Sequence, residues 1–146
     1  MKSGVDYIGV TVCFYCYDKK GNLLLQKRSK NTRDENGRWD CGGGSMEFGE
    51  NFEETVRREL KEEYCCDPLS LSFCGVSNVL RENEGVKTHW ICIIFAAELD
   101  PKTVKIGEPK KIDELGWFKL SNLPEPLHTK LLYHLDFVKK AGLLGF

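Results

Sequence analysis

The sequence contains no apolar run near the roughly 20 residues that a membrane-spanning helix needs. Its longest candidate, residues 90–97, is only long enough for a strand. Neither charge is in surplus: 21 Lys and Arg stand against 22 Asp and Glu among 146 residues, a formal net charge of −1. That balance argues against a nucleic-acid partner, because phosphate-backbone affinity needs a clear basic excess. The N-terminal stretch Met1-Lys2-Ser3-Gly4-Val5-Asp6 soon meets an acid and lacks the apolar core of a secretory signal. Internal repeats, low-complexity tracts and linkers are also missing. The expectation is a cytoplasmic protein with no membrane partner, folded as one domain over residues 1–146.

Cysteine is plentiful but lacks the pattern of a disulfide or zinc framework. An odd count of seven, without a secretory signal, points to reduced thiols. Cys13 and Cys16 form a C-x-x-C, yet residues 10–17 read as a strand, where positions three apart face opposite ways. No second pair follows at zinc-knuckle spacing, so these thiols are expected to serve as small buried hydrophobes. His89, His128 and His134 show no ligand spacing and read as structural or solvated.

What is present is a clear alternation of elements. Residues 7–17 are aromatic and β-branched, Asp18-Lys19-Lys20-Gly21-Asn22 supplies turn chemistry, and Leu23-Leu24-Leu25-Gln26-Lys27-Arg28 completes a predicted hairpin. A polar loop follows over residues 29–38, then a glycine-dense segment over residues 39–44. Asn51 is a suitable N-cap, Glu53 and Glu54 suit the positive end of a helix dipole, and Phe52, Val56 and Leu60 recur at helical spacing. Pro68 ends that helix near residues 64–66. Residues 69–79, 88–99 and 114–119 read as strands, with residues 81–85 as a polar connection and a turn-rich stretch over residues 100–111. Residues 127–140 read as a terminal helix carrying Leu131, Leu132, Leu135 and Val138. Several strands with one central and one terminal helix predict an α/β fold, a sheet covered by helices.

The chemistry concentrates between residues 43 and 63. At about 100° per residue, Glu59, Glu62 and Glu63 share an arc of about 100° on one helix face. Such close carboxylates repel unless a cation neutralises them, and hard oxygen donors suit Mg²⁺ or Mn²⁺. Glutamates alone read first as a solvated helix face, with Glu54 and Arg58 as an i,i+4 pair. The wider spacing is more specific. Gly44, five residues, Glu50, seven residues, then Arg58-Glu59-Leu60-Lys61-Glu62-Glu63 resembles the signature of the Nudix hydrolases, which cleave a nucleoside diphosphate linked to another moiety. The approach Trp39-x-x-Gly42-Gly43-Gly44-x-x-Glu47-x-Gly49-Glu50 is similar to that family as well. Two positions depart from it. Cys65 stands where the family normally has a helix-capping Gly, and Gly42 stands where many members have Pro, which is expected to loosen the loop.

The resemblance implies the Nudix fold, a mixed β-sheet sandwiched between helices (α/β/α). It implies Glu59, Glu62 and Glu63 as ligands of Mg²⁺ or Mn²⁺, joined by the backbone of Gly43. Arg58 would pair with Glu50 or a metal-binding glutamate. The general base or last ligand commonly lies outside the box in this family; Glu108 is the first candidate by position, then Glu82 and Glu84. Arg28, Arg38, Trp39, Gly44 and Glu50 are expected around the substrate, with Tyr15, Trp39 or Trp117 able to stack a base. Trp117 reads first as packing beneath the terminal helix. The region of Leu80-Arg81-Glu82 lacks the Pro common in ADP-ribose hydrolases, and the later segments look like small MutT-type enzymes. The implied substrate is therefore a (deoxy)nucleoside triphosphate, oxidised forms included, split to monophosphate and pyrophosphate. ADP-ribose or a nucleotide sugar is the alternative, and a non-catalytic nucleotide sensor is a third reading. Monomer and homodimer both fit.

Neutrality is itself an average. Residues 19–38 hold seven Lys/Arg and two Asp/Glu, whereas residues 44–63 hold three Lys/Arg and seven Glu. A basic segment beside an acidic one fits a pocket for a metal–phosphate complex.

Overall fold

The β-branched and aromatic N-terminal run forms β1 (Gly9–Tyr17), and the predicted turn returns it as β2 (Leu23–Arg28). Asp18 sets that turn: its carboxylate accepts from the backbone N–H groups of Lys20 and Asn22 at 2.9 and 2.8 Å. The computed structural model describes residues 1–144; residues 145 and 146, the end of the expected domain, lie outside the described residues. The glycine-dense segment divides into β3 (Trp39–Asp40) and β4 (Gly42–Ser45), followed by α1 (Phe52–Tyr64). Next come β5 (Ser70–Asn83), β6 (Val86–Glu98), β7 (Ile112–Phe118) and α2 (Leu131–Lys140).

These strands form one mixed sheet in the order β3-β2-β1-β6-β5, with β7 also on β2 and β4 also on β1. Only β1 and β6 run parallel; the other pairs are antiparallel. Along one edge of β1, β4 pairs residues 11–14 and β2 takes residues 16–17. Alternation along β1 builds two cores. Val12, Phe14 and Cys16 pack with Val56, Leu60 and Tyr64 of α1. Cys13 and Tyr15 pack on the other face with Leu131, Leu135 and Val138 of α2. Each fully buried Leu or Phe among them contributes about 1.5–3 kcal/mol. The expected α/β/α sandwich is the observed one, and the C-x-x-C cysteines do face opposite cores. Among the described residues no helix is long and apolar enough to cross a membrane.

Several expectations change. The strands expected over residues 69–79 and 88–99 are longer and join as a hairpin through Glu84 and Gly85, both at positive φ (52° and 79°). The terminal helix starts at Leu131 rather than 127, after a cis Glu125–Pro126 bond and a bridge from Leu127 to Trp39. Gly42 is not in a loosened loop: it pairs with Phe14, and a Cβ there would lie 2.2 Å from that ring. Trp117 packs on the α1 side of the sheet, not beneath α2.

Cys65 replaces the usual glycine without altering the helix end. It takes the left-handed conformation itself (φ 60°, ψ 28°), and its N–H donates to the Lys61 carbonyl. A non-glycine residue there costs about 1–2 kcal/mol, partly offset by the larger entropy glycine loses on folding. Cys65→Gly is therefore expected to stabilise the fold by about 0.5–1 kcal/mol, read as a higher urea midpoint at unchanged slope.

Candidate functional site

α1 starts with a reciprocal cap. The Asn51 side chain accepts from the Glu54 N–H at 2.9 Å, and the Glu54 carboxylate accepts from the Asn51 N–H at 3.0 Å. That use of Glu54 removes it from the expected pair with Arg58. Val56, Leu60 and Tyr64 bury one stripe, so the adjoining stripe of Glu59, Glu62 and Glu63 runs from the core edge toward solvent. Tyr64 pins the helix to the sheet through a buried hydrogen bond from its hydroxyl to Gln26.

The three glutamates sit in different environments. Glu63 is 4% exposed and accepts from the Gly43 N–H at 3.3 Å. Burial pushes its carboxyl well above the ordinary range, and the neighbouring Glu59 and Glu108 add to the shift. Glu59 is raised in the same direction, first by burial and then by Glu62 and Glu108, against the opposing pull of Arg58. The Glu62 side chain is about half exposed. Gly44 makes room for this group: a Cβ on it would lie 2.2 Å from the Glu59 carboxyl carbon.

Arg58 holds the stripe in place. Its Nε and Nη2 donate to the two Glu50 oxygens at 2.7 and 3.0 Å, Nη1 donates to Glu59 at 2.7 Å, and Nη2 also reaches the Ser45 carbonyl at 3.0 Å. Glu50 accepts in addition from the Thr55 hydroxyl and the Glu47 N–H. The Arg58 fork brings the Glu50 carboxyl down to about 2. Arg58 thus meets both partners that the sequence offered as alternatives.

Glu108 arrives from the turn-rich stretch. The free carbonyls at the end of α1 accept from that stretch, Tyr64 from the Lys105 N–H at 3.0 Å and Glu63 from the Gly107 N–H at 2.8 Å. Gly107 has to be glycine for that approach, since a Cβ would lie 2.1 Å from the Glu62 carbonyl oxygen. The result places Glu108 close enough to raise both Glu59 and Glu63. Glu82 and Glu84 lie instead at the tip of the β5–β6 hairpin. The signal that sequence reading passed over was the Gly preceding Glu108.

Beside the carboxylates opens a cleft of about 860 Å³, lined by residues 42–45, Glu63, Arg28, Arg81 and residues of α2 among others. Arg28 lines it as expected but is held by Asp34 at 3.0 Å and Asp40 at 3.5 Å. Arg38 does not reach the cleft: it donates to the Leu127 carbonyl at 2.9 Å and lies 3.9 Å from Glu35. Trp39 cannot stack a base, because it is buried edge-on against Phe118 with centroids 5.1 Å apart. Tyr15 touches the cleft but is fully buried and donates to the Leu131 carbonyl at 2.7 Å. One member of the surround went unnoticed in the sequence: Glu35 gathers Arg81 (2.8 Å), His128 (2.7 Å) and the Thr129 N–H (2.8 Å). These links tie the 29–38 loop to β5 and to the approach of α2.

Comparison with known proteins gives a consistent result. A NUDIX domain family model matches residues 8–138. An ADP-ribose pyrophosphatase of Methanocaldococcus jannaschii is 37% identical over 109 residues, 74% of this chain and 60% of that protein. An 8-oxo-dGDP phosphatase of Mus musculus is 27% identical over 139 residues, 92% of this chain and 39% of that protein. The chain therefore spans less than two thirds of the length of either curated relative. Among solved structures, a MutT NUDIX hydrolase from Burkholderia pseudomallei superposes with a TM-score of 0.80 at 27% identity, covering 91% of this chain and 99% of that one.

Proposed function

The chain belongs to the NUDIX family, and from that premise we propose that it is a hydrolase that splits a (deoxy)nucleoside triphosphate, oxidised forms included, into monophosphate and pyrophosphate. The observation that carries the reading is a cleft of nucleotide size lined by Gly44 and Glu63, with the Glu59 carboxylate packed against Gly44 and the turn that bears Glu108 bonded to the Glu63 carbonyl. Nudix hydrolases use a divalent metal, and the donors fit one. They are hard oxygens, burial and neighbouring carboxylates raise Glu63 and Glu59, and the missing side chain of Gly44 is the space that the Glu59 carboxylate fills. Glu59, Glu62 and Glu63, with the backbone at Gly43, would hold Mg²⁺ or Mn²⁺. Bound there, the cation would offset charge developing at phosphorus and make a water molecule more acidic.

The protein's own residues supply the rest. Arg58 and Glu50 fix the carboxylates, so that no reorganisation is needed as charge develops. Glu108 is the candidate to take the proton of the attacking water. Arg28, already balanced by Asp34 and Asp40, would meet the substrate as part of a nearly neutral wall rather than as a free cation. Both cores share one sheet, which supports residues 1–146 as one domain; a cytoplasmic setting and a monomer or homodimer belong to the same proposal.

Glu108→Gln is expected to lower kcat by about a hundredfold or more. Near-normal turnover would move the base to Glu82 or Glu84. The substrate is tested by product analysis with Mg²⁺ across nucleoside triphosphates, nucleoside diphosphates, ADP-ribose and nucleotide sugars. The triphosphates should give the highest kcat/KM. ADP-ribose in first place would replace this reading with the one that the Methanocaldococcus relative favours. Nucleotide binding without any hydrolysis would leave the sensor.

A further inference from the structure

The cleft carries a second set of donors. Cys13 of β1, Cys92 of β6 and His134 of α2 all line it and are all buried, and their sulfur and ring-nitrogen atoms lie within 4.8 Å of one another. Register explains the convergence. Cys13 pairs with Ile94 and Cys92 with Thr11, so the two cysteines are diagonal neighbours on one face of adjoining strands. Cys41, two residues before Gly43, the partner of Cys13 on β4, is buried in the same cluster as Cys13 and Cys92. His134 hangs from α2 over this group, and its Nε2 lies 2.7 Å from the hydroxyl of Ser77, the residue paired with Cys92.

We propose that Cys13, Cys92 and His134, with Cys41 as a further thiol, form a binding site for a soft divalent cation of the Zn²⁺ type, separate from the carboxylate site. The donor set is the argument. Thiolate and imidazole prefer Zn²⁺ to Mg²⁺, and three sulfurs with one nitrogen make a tetrahedral set. A Zn–S bond of about 2.3 Å asks for sulfurs about 3.8 Å apart, so small side-chain rotations close the cluster. Binding releases the thiol protons to solvent, and the Ser77 hydroxyl is in place to hold the histidine ring in orientation. The two donor sets thus sort cations by hardness: oxygen donors at residues 59–63 on the α1 side of the sheet, sulfur and nitrogen donors on the α2 side.

Co²⁺ is the probe, titrated into the reduced full-length chain in the presence of excess Mg²⁺. One equivalent should bind with thiolate-to-cobalt charge-transfer absorption and the visible bands of a tetrahedral ion, and Zn²⁺ should abolish both. Cys13→Ala, Cys92→Ala and His134→Gln should each weaken uptake at least tenfold, whereas Glu62→Gln and Cys65→Gly should leave it unchanged. Circular dichroism keeps misfolded variants out of the comparison, and the wild-type spectrum is decisive without them. Absence of thiolate charge transfer in the wild-type chain overturns the proposal. So does a spectrum that survives in folded Cys13→Ala and Cys92→Ala.

Discussion

Glu63→Gln should lower kcat at least about a hundredfold while leaving the metal-free protein as stable as before or more so. The two halves of that expectation have one cause. Glu63 is buried beside Glu59 and Glu108, and its carboxyl is pushed well above its ordinary range by burial first and those neighbours second. An uncompensated carboxylate there opposes folding, and a neutral amide of the same shape removes the opposition while still accepting from the Gly43 N–H. What the amide cannot do is balance a divalent cation. In the wild type, Mg²⁺ at a hundred times its Kd should raise stability by about 2.7 kcal/mol. The variant should lose most of that increment, which thermal unfolding with and without Mg²⁺ measures. Near-normal turnover combined with an intact Mg²⁺ response would remove Glu63 from the metal site. Glu62→Gln should also cost orders of magnitude in kcat, with a smaller change in metal-free stability, because its side chain is about half exposed.

Arg58→Ala should weaken Mg²⁺ binding by roughly 10–100-fold and lower kcat with it, although Arg58 itself would touch neither metal nor substrate. Its guanidinium joins Glu50, Glu59 and the Ser45 carbonyl. Removal frees two carboxylates to repel and takes away one of the links between the glycine-rich strand and the helix. Arg58→Lys separates charge from geometry. An ammonium has three donors and no fork, so it cannot grip both Glu50 oxygens and still reach Glu59 and the Ser45 carbonyl, and lysine should recover only a minor part of the loss. Full rescue by lysine would mean that charge alone matters. Isothermal titration with Mg²⁺, beside steady-state kinetics, distinguishes the two.

Local chemistry made α1 legible down to its cap, because Asn51, Glu54 and the apolar stripe act within a few residues of one another. The carboxylate face was legible for the same reason. Glu108 could be named only by its place in the chain; the contact that delivers it, from the Gly107 N–H to the Glu63 carbonyl, belongs to the folded state. The β5–β6 hairpin was obscured because Glu84 takes a positive φ that its side chain does not advertise. Arg38 and Trp39 misled through their composition. A cation and an aromatic ring near a glycine-rich segment suggest ligand contact, yet one satisfies the Leu127 carbonyl 89 residues away and the other fills the core. Glu35 shows the limit most plainly. Its partners Arg81 and Thr129 lie 46 and 94 residues away, and no periodicity or spacing announces them.

The glycines of the signature perform two unlike tasks, and side-chain chirality separates them. Gly49 is a matter of handedness: its φ is +92°, and a Cβ added there would meet nothing within 4 Å. A D-amino acid suits that backbone, so D-alanine introduced at 49 by chemical ligation should fold and turn over like the parent, whereas L-alanine should strain the turn. Gly44 is a matter of volume, because the Glu59 carboxyl group occupies the place of its missing side chain. L-alanine at 44 should leave the turn at 49 unstrained and displace a ligand instead. One glycine is a hinge of the chain and the other is a socket for an acid.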